Sequence, residues 1–262
     1  MWEFKKAILK TSSIEGYPFT LCYDETCAYS ACTGCGVPDR SVVKSKNVLI
    51  VYDPNSTRPD LYSYDVNPSD IATTIQTRET SLTFTATTIT SYTAFEALSD
   101  ATIANYSHIW DIGYDTLITS SVATKYETYL LGGGAMFLLG ENGAFVDRDT
   151  SITNFITDMG GGIVSSSPQQ TGTIVADVAA EFRIANTTAT VTFNNVGKFG
   201  VIGTGTILAD SVNGIHAAIW ETGDLSSVPT AAIVSVLDIN FLVGTTIQQE
   251  FIDNISLTLN NR

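Results

Sequence analysis

Four acidic residues of this chain follow or end apolar runs that are typical of buried strands. They are Asp53 after NVLIVY, Asp111 at the end of HIWD, Glu141 after AMFLLG and Asp238 after AAIVSVL. Ligand sites of open α/β sheets lie at the carboxyl ends of the strands, so these carboxylates are predicted to share one rim. There they could act as an acid and a base, if burial separates two pKa values, or bind Mg²⁺ or Ca²⁺ through oxygen.

The alternative role for these carboxylates is structural, because Asp and Glu also cap helices and accept hydrogen bonds from loop amides. The structural interpretation is preferred, so no catalytic residue and no bound cofactor is assigned. Asn142 and Arg148 could form a polar brace under the rim. The two histidines, His108 and His216, lie within predicted strands, and a structural role is expected for each.

All four cysteines lie near the start of the sequence, with the spacing C-x4-C-x4-C-x2-C. They are Cys22, Cys27, Cys32 and Cys35. Four thiolates this close could bind zinc tetrahedrally, although the first two spacings are wide for a single zinc knuckle. Two disulfides are the preferred interpretation, since they would suit an oxidising compartment or a virion surface. Free thiols are the third alternative.

The composition argues against several classes of partner. The chain has 262 residues, with 27 acidic and 13 basic side chains and a net charge of −14. Nucleic acids and anionic membrane surfaces attract clustered cations, so neither is an expected partner. No apolar run approaches the roughly 18 residues that cross a bilayer, and no signal peptide is predicted. The abundance of Thr, Ser and Asn favours an extracellular or virion location over a cytoplasmic one.

Strand and helix patterns alternate from residue 47 onwards. Buried strands are predicted at 47–52, 107–112, 135–139 and 231–237, adjacent and parallel in one sheet. An alternating strand near a sheet edge is predicted at 81–90. Helices are predicted at 67–77, 94–103, 121–131, 151–159 and 246–259, the fourth of them capped by Asp149 or Thr150.

Two segments lie outside this alternation, one before it and one within it, and they define the predicted organisation. Residues 1–46 form a Cys-containing extension, and residues 47–262 form a three-layer α/β domain with a parallel sheet. A β-rich insertion at about 163–229 separates the last two parallel strands, with short strands predicted at 173–178, 189–193, 198–202 and 217–220.

Three segments together resemble a known superfamily. They read YSHIWDIG, then GGGAMFLLGENG after a helix, then RDTSITNFITDMGGG. In strand order and glycine placement they resemble the class I glutamine amidotransferase-like superfamily, which has a flavodoxin-like α/β fold and includes trehalose-utilisation-like proteins. The resemblance covers roughly residues 47–165 and 230–262.

The resemblance implies where catalytic residues would stand. In catalytic members the central strand runs into a G-x-C-x-G elbow, and a His and a Glu follow the last strand. Here the elbow is Gly140-Glu141-Asn142-Gly143, with Glu141 or Asn142 in the place of the nucleophile, and Leu237-Asp238-Ile239-Asn240 follows the last strand. Without a thiolate and its base there is no nucleophilic route to a glutamine amide. The chain therefore resembles a non-catalytic member.

Two functions of different classes follow from these patterns. The preferred one is a structural or interaction module of an extracellular or viral assembly. Such a module is expected to form a homo-oligomer or a larger assembly, through contacts of the N-terminal segment and the insertion. The alternative is a hydrolase or carbohydrate-acting enzyme that uses the acidic rim. A deep pocket lined by rim carboxylates favours the enzyme, and a shallow rim with an apolar contact surface favours the module.

Overall fold

The computed structural model describes residues 46–52, 68–113, 115–168, 172–184, 189–238, 240–242 and 246–261. Asp53 and the four cysteines lie outside these ranges. The predictions made for those five residues, and for the extension that holds the cysteines, therefore remain predictions. The described residues carry eleven strands and six α-helices, and two of the connections contain a single 3₁₀ turn.

The strands are β1 Asn47–Val51, β2 Thr85–Ile89, β3 His108–Asp111, β4 Ala135–Leu139, β5 Val164–Ser167, β6 Ile174–Val178, β7 Thr190–Phe193, β8 Lys198–Ile202, β9 Thr206–Ser211, β10 Gly214–Trp220 and β11 Ala232–Val236. The helices are α1 Pro68–Ser81, α2 Tyr92–Glu96, α3 Asp100–Ile103, α4 Ser120–Leu131, α5 Val146–Asp158 and α6 Thr246–Asn260. No helix among the described residues is long and apolar enough to cross a membrane.

The sheet has a parallel half and an antiparallel half. Its strand order is β2-β1-β3-β4-β11-β10-β9-β6-β7, and neighbours in the first five positions are parallel. With β11 as the fifth strand, this half has the 2-1-3-4-5 order of flavodoxin-like sheets. The prediction that four buried strands lie adjacent and parallel is confirmed. The predicted edge position of β2 is confirmed as well.

Side chains of the parallel strands point alternately to two faces, and each face is covered by helices. Ile50 and Phe137 pack with residues of α1 and α6, while Leu49 and Met136 pack with residues of α2 to α5. The central strands are apolar on both faces because both are buried. The described part of the domain is therefore a three-layer α/β structure, as predicted.

Three helices differ from their predicted bounds. The helix predicted at 67–77 ends at Ser81, so the strand predicted at 81–90 is shorter and spans Thr85–Ile89. The other two differences follow from local hydrogen bonds. The helix predicted at 94–103 is two helices, because Ser91 and Ser99 each cap a new helix start and the Ser99 backbone is extended. The helix predicted to start at Ser151 begins at Val146. Asp149 is not its cap but lies inside its first turns, and its side chain binds the preceding loop.

The predicted insertion contains strands β5 to β10, which lie between α5 and β11 in the chain. All four predicted strands are present, and the sequence did not indicate β5 or β9. The strand β5 is Val followed by three serines, a composition with little strand propensity. Most of the insertion extends the sheet beyond β11 with antiparallel strands, whereas β5 pairs only with β8.

Candidate functional site

Glu141 lies in the elbow between β4 and α5. Its side chain bonds to the next residue of the same turn. Glu141 Oε2 accepts hydrogen bonds from the Asn142 N–H and from Asn142 Nδ2, both at 2.9 Å. The Glu141 N–H donates to Asp149 Oδ1 at 2.7 Å. Because Glu141 is only 2% exposed, its carboxylate stabilises the turn rather than facing solvent.

Asp111 at the end of β3 is the centre of a second buried cluster. Its carboxylate accepts hydrogen bonds from Arg148 Nη2 at 3.1 Å, from the Tyr92 hydroxyl at 2.9 Å and from the Gly113 N–H at 3.0 Å. The side chains of Asp111 and Arg148 are both fully buried. An ion pair without water must satisfy its remaining donors and acceptors within the protein.

Arg148 meets that requirement through contacts to three further groups. Its Nε donates to the Leu139 carbonyl at 2.9 Å, and Nη1 donates to the Tyr92 hydroxyl and the Thr116 carbonyl, both at 2.8 Å. Burial opposes the charge of Arg148, but the Asp111 carboxylate raises its pKa above the ordinary value. Burial also raises the pKa of Tyr92. Arg148 is thus the polar brace under the strand ends that the sequence suggested.

Asp238, the third rim carboxylate that the structure describes, binds the turn between β7 and β8. Its Oδ2 accepts a hydrogen bond from the Asn194 N–H at 2.9 Å. In the same turn, the Gly197 N–H donates to the Leu237 carbonyl at 2.8 Å. Val196, which precedes Gly197, is fully buried. We call residues 194–197 the strap. A Cβ atom on Gly197 would overlap the Glu141 carbonyl oxygen, so the strap lies directly on the elbow.

His216 on β10 contacts the strap through a hydrogen bond to its backbone. Its Nδ1 donates a hydrogen bond to the Gly197 carbonyl at 2.7 Å. Its Nε2 lies 2.9 Å from the Ser211 hydroxyl. Because that hydroxyl oxygen accepts a hydrogen bond from the Asn213 N–H, its own proton can be donated to Nε2. Burial lowers the pKa of His216, which is consistent with a neutral ring. The insertion therefore closes the strand ends with its own backbone and side chains.

His108 lies in a separate buried cluster on the α1 and α6 side of the sheet. Its Nε2 lies 2.9 Å from Glu79 Oε1, which also accepts hydrogen bonds from Trp110 Nε1 and the Ser256 hydroxyl, both at 2.7 Å. His108 Nδ1 lies 3.1 Å from the Ser107 hydroxyl. His108 and Glu79 have no exposed surface, so this geometry matches a structural role for the histidine.

Asp149 is the titratable group of the elbow with the most altered acidity. Burial raises its pKa from 3.8 to about 7, the Glu141 N–H lowers it, and the Glu141 carboxylate raises it. A carboxyl that holds its proton near neutral pH beside a second carboxyl is a pattern used by general acids. Both groups are almost fully buried, however, so a substrate does not reach them in this conformation.

The three rim carboxylates that the structure describes therefore do not converge on an open site. Asp111, Glu141 and Asp238 each bind a different part of their own chain. A polar depression of about 160 Å³ lies between α1 and α6 and is lined by other residues, namely Thr73, Thr74, Thr77, Arg78 and Gln249. Within the described ranges, no group of three or more His, Cys, Asp or Glu side chains is placed to hold a metal ion.

Sequence reasoning missed three contributors to these clusters. Tyr92 lies in a helix far along the chain from Arg148, and Glu79 is one of several polar residues of α1. The strap belongs to the insertion, whose path over the sheet has no local signature. A hydrogen-bonding partner that is distant in sequence cannot be identified from spacing alone.

No protein-family model matches this sequence, and no curated protein sequence matches it. Solved structures do match. A putative thua-like protein from Bacteroides uniformis is 13% identical, with 86% of this chain and 95% of that chain covered and a TM-score of 0.56. A second putative thua-like protein, from Parabacteroides merdae, is 9% identical, with 84% and 91% covered and a TM-score of 0.53. The mmIFT52 N-terminal domain is 12% identical, with 82% and 98% covered and a TM-score of 0.57.

These likenesses establish the fold class. ThuA-like proteins have a glutamine amidotransferase-like fold, and the chain shares this type of α/β fold with them. At such low identity the match extends to the fold alone, and function must be argued from the site.

Proposed function

We propose that this chain is a non-catalytic member of the glutamine amidotransferase-like fold that acts as a structural or interaction module. The observation that carries the proposal is the closed rim. Asp111, Glu141 and Asp238 are at most 2% exposed and are hydrogen-bonded to their own chain, and the strap lies on the elbow. The elbow also has Glu141 or Asn142 where the catalytic members of that superfamily have the nucleophilic cysteine.

The distribution of exposed apolar side chains supports a contact function. Five of the eight large apolar side chains that are exposed in the described ranges belong to the insertion, namely Ile163, Val175, Ile184, Val201 and Val212. Apolar groups concentrated in one segment are more informative than the single ones found on any surface. The proposal includes self-association or assembly with other proteins, and an extracellular or virion setting.

A hydrolase is the second candidate, because of one observation. The pKa of Asp149 is raised to about 7 mainly by burial, and Glu141 lies beside it. If the strap were displaced, Asp149 could donate a proton while Glu141 acted as the base.

Hydrolysis assays distinguish the two candidates. The purified chain and its Glu141→Gln variant would be assayed with glutamine and with a set of chromogenic glycosides. Glutamine at residue 141 keeps a side-chain oxygen for the Asn142 amide but cannot act as a base. We expect no turnover by the unaltered chain beyond that of the variant. Turnover that Glu141→Gln abolishes, at an unchanged melting temperature, would establish the hydrolase instead.

A further inference from the structure

The sequence contains two Asn-Gly dipeptides, Asn142-Gly143 and Asn213-Gly214. The main-chain nitrogen that follows an asparagine can attack the carbonyl carbon of the asparagine side chain. Glycine in the following position permits the closest approach, because it has no Cβ atom to obstruct the side chain. The two dipeptides are chemically alike, so a large difference between their reactivities must come from the structure around each of them.

The carboxamide of Asn142 is hydrogen-bonded through both of its polar atoms. Nδ2 donates to Glu141 Oε2 at 2.9 Å, and Oδ1 accepts a hydrogen bond from the Ala144 N–H at 3.0 Å. The Asn142 carbonyl also accepts a hydrogen bond from the Phe145 N–H at 2.8 Å. Turning the carboxamide onto the Gly143 nitrogen would break both side-chain hydrogen bonds and remove a donor from a buried carboxylate.

The strap restricts Asn142 further. A Cβ atom on Gly197 would lie 3.3 Å from the Asn142 Cα atom, so the strap packs directly against the main chain of Asn142. The elbow therefore has no room to rearrange while the strap is in place. Reaction at Asn142 requires the rim to open first.

Asn213 has none of these restraints. It is exposed in the turn between β9 and β10, and its carboxamide has no hydrogen-bond partner in the described part of the chain. Its N–H donates to Ser211 Oγ at 3.1 Å, which leaves the side chain free to rotate. Gly214, at a φ of 132°, pairs with Ser211 at the very end of the β9–β10 ladder. The last pair of a ladder opens at little cost in free energy.

We propose that Asn213 is a site of spontaneous deamidation and that the closed rim protects Asn142 from the same reaction. The Gly214 nitrogen forms a bond to Asn213 Cγ, the Cγ–Nδ2 bond breaks, and ammonia leaves with the proton that the Gly214 nitrogen loses. Water then opens the resulting succinimide ring. Addition of water at Cγ gives aspartate, and addition at the main-chain carbonyl carbon gives isoaspartate. Either product adds a negative charge to the turn.

Peptide mapping of the full-length chain by mass spectrometry tests this proposal. The folded chain and the same chain in concentrated urea are incubated near neutral pH, and replacement of NH₂ by OH is followed in both Asn-Gly peptides. A sample digested at the start corrects for conversion during digestion. Fragmentation of the main chain distinguishes isoaspartate from aspartate. The matched control is Asn213→Gln, which retains a carboxamide but closes a larger ring more slowly.

In the folded chain we expect Asn213 to convert at least about tenfold faster than Asn142, because only Asn142 must wait for the rim to open. In urea the two rates should be comparable, and Asn213→Gln should remove the fast conversion without changing Asn142. A ratio below about tenfold in the folded chain overturns the proposal. A ratio in urea equal to that in the folded chain also overturns it, since sequence would then account for the difference. These outcomes are independent of the hydrolysis assays.

Discussion

Replacing Arg148 with methionine is expected to lower the free energy of unfolding by about 3–5 kcal/mol, the usual cost of leaving a buried charge without its partner. The Asp111 carboxylate would lose its ion pair, and the carbonyls of Leu139 and Thr116 would lose their donors. Methionine follows the path of the arginine stem but lacks the guanidinium atoms, so the loss combines the missing charge and hydrogen bonds with the cost of a cavity. Urea unfolding at pH 7 measures it.

A matched control is Arg78→Met. Arg78 pairs with the buried carboxylate of Asp253, but the Arg78 side chain is 25% exposed, so water can partly replace the lost partner and the expected loss is smaller, about 1–2 kcal/mol. A second control is the double variant Arg148→Met with Asp111→Asn, which removes the unpaired charge and should be more stable than the sum of the single effects predicts. Equal losses for Arg148→Met and Arg78→Met would contradict the bracing role of Arg148.

Replacing Asp149 with asparagine is expected to remove a large part of the pH dependence of stability. The pKa of Asp149 is raised from 3.8 to about 7, chiefly by burial, so the folded chain binds this proton more tightly than the unfolded chain does. Its contribution to stability is complete below pH 4 and is lost as pH rises through 7. The total is roughly 4 kcal/mol, from about 1.4 kcal/mol per pKa unit.

Asparagine at residue 149 retains the oxygen that accepts the Glu141 N–H and does not ionise. The variant should therefore match the unaltered chain below pH 4 and exceed it in stability at pH 8. Thermal unfolding between these pH values measures the difference, and Asp147→Asn, an exposed neighbour in the same helix, is the control. A constant difference between Asp149→Asn and the unaltered chain across this range would show that Asp149 is ionised in the fold.

Much of the fold was predictable because the central strands are buried on both faces. A strand such as Ala135–Leu139 is an uninterrupted apolar run, and the amphipathic pattern of α4 is equally clear. The errors arose where short-range hydrogen bonds compete with periodicity. Ser99 starts a new helix within an apparently continuous pattern, and Asp149 resembles a helix cap although it binds a neighbouring loop.

The candidate site was predictable only in part. The positions of Asp111, Glu141 and Asp238 at strand ends follow from topology, which the parallel strands specify. Their chemical environment depends on Tyr92, on Arg148 and on the strap, whose contacts join distant parts of the chain. Whether a carboxylate can catalyse a reaction or only stabilises the fold depends on its burial, and burial is a property of the packed structure.

The central claim is that the strap keeps the strand ends closed, and native-state hydrogen exchange tests it most directly. The informative amides are those of Glu141, Asn194 and Gly197, which donate to Asp149, Asp238 and Leu237. Gly197→Ala provides an opened reference, because its Cβ would overlap the Glu141 carbonyl, and Gly172→Ala, with open space around it, is the control.

In the unaltered chain and in Gly172→Ala, we expect these three amides to exchange as slowly as those of the core strand β4. In Gly197→Ala we expect them to exchange faster. Slow exchange of that degree means that the rim opens only with global unfolding. Rapid exchange of all three amides in the unaltered chain, with β4 still protected, would show that the rim opens in the native state and would contradict its closure by the strap.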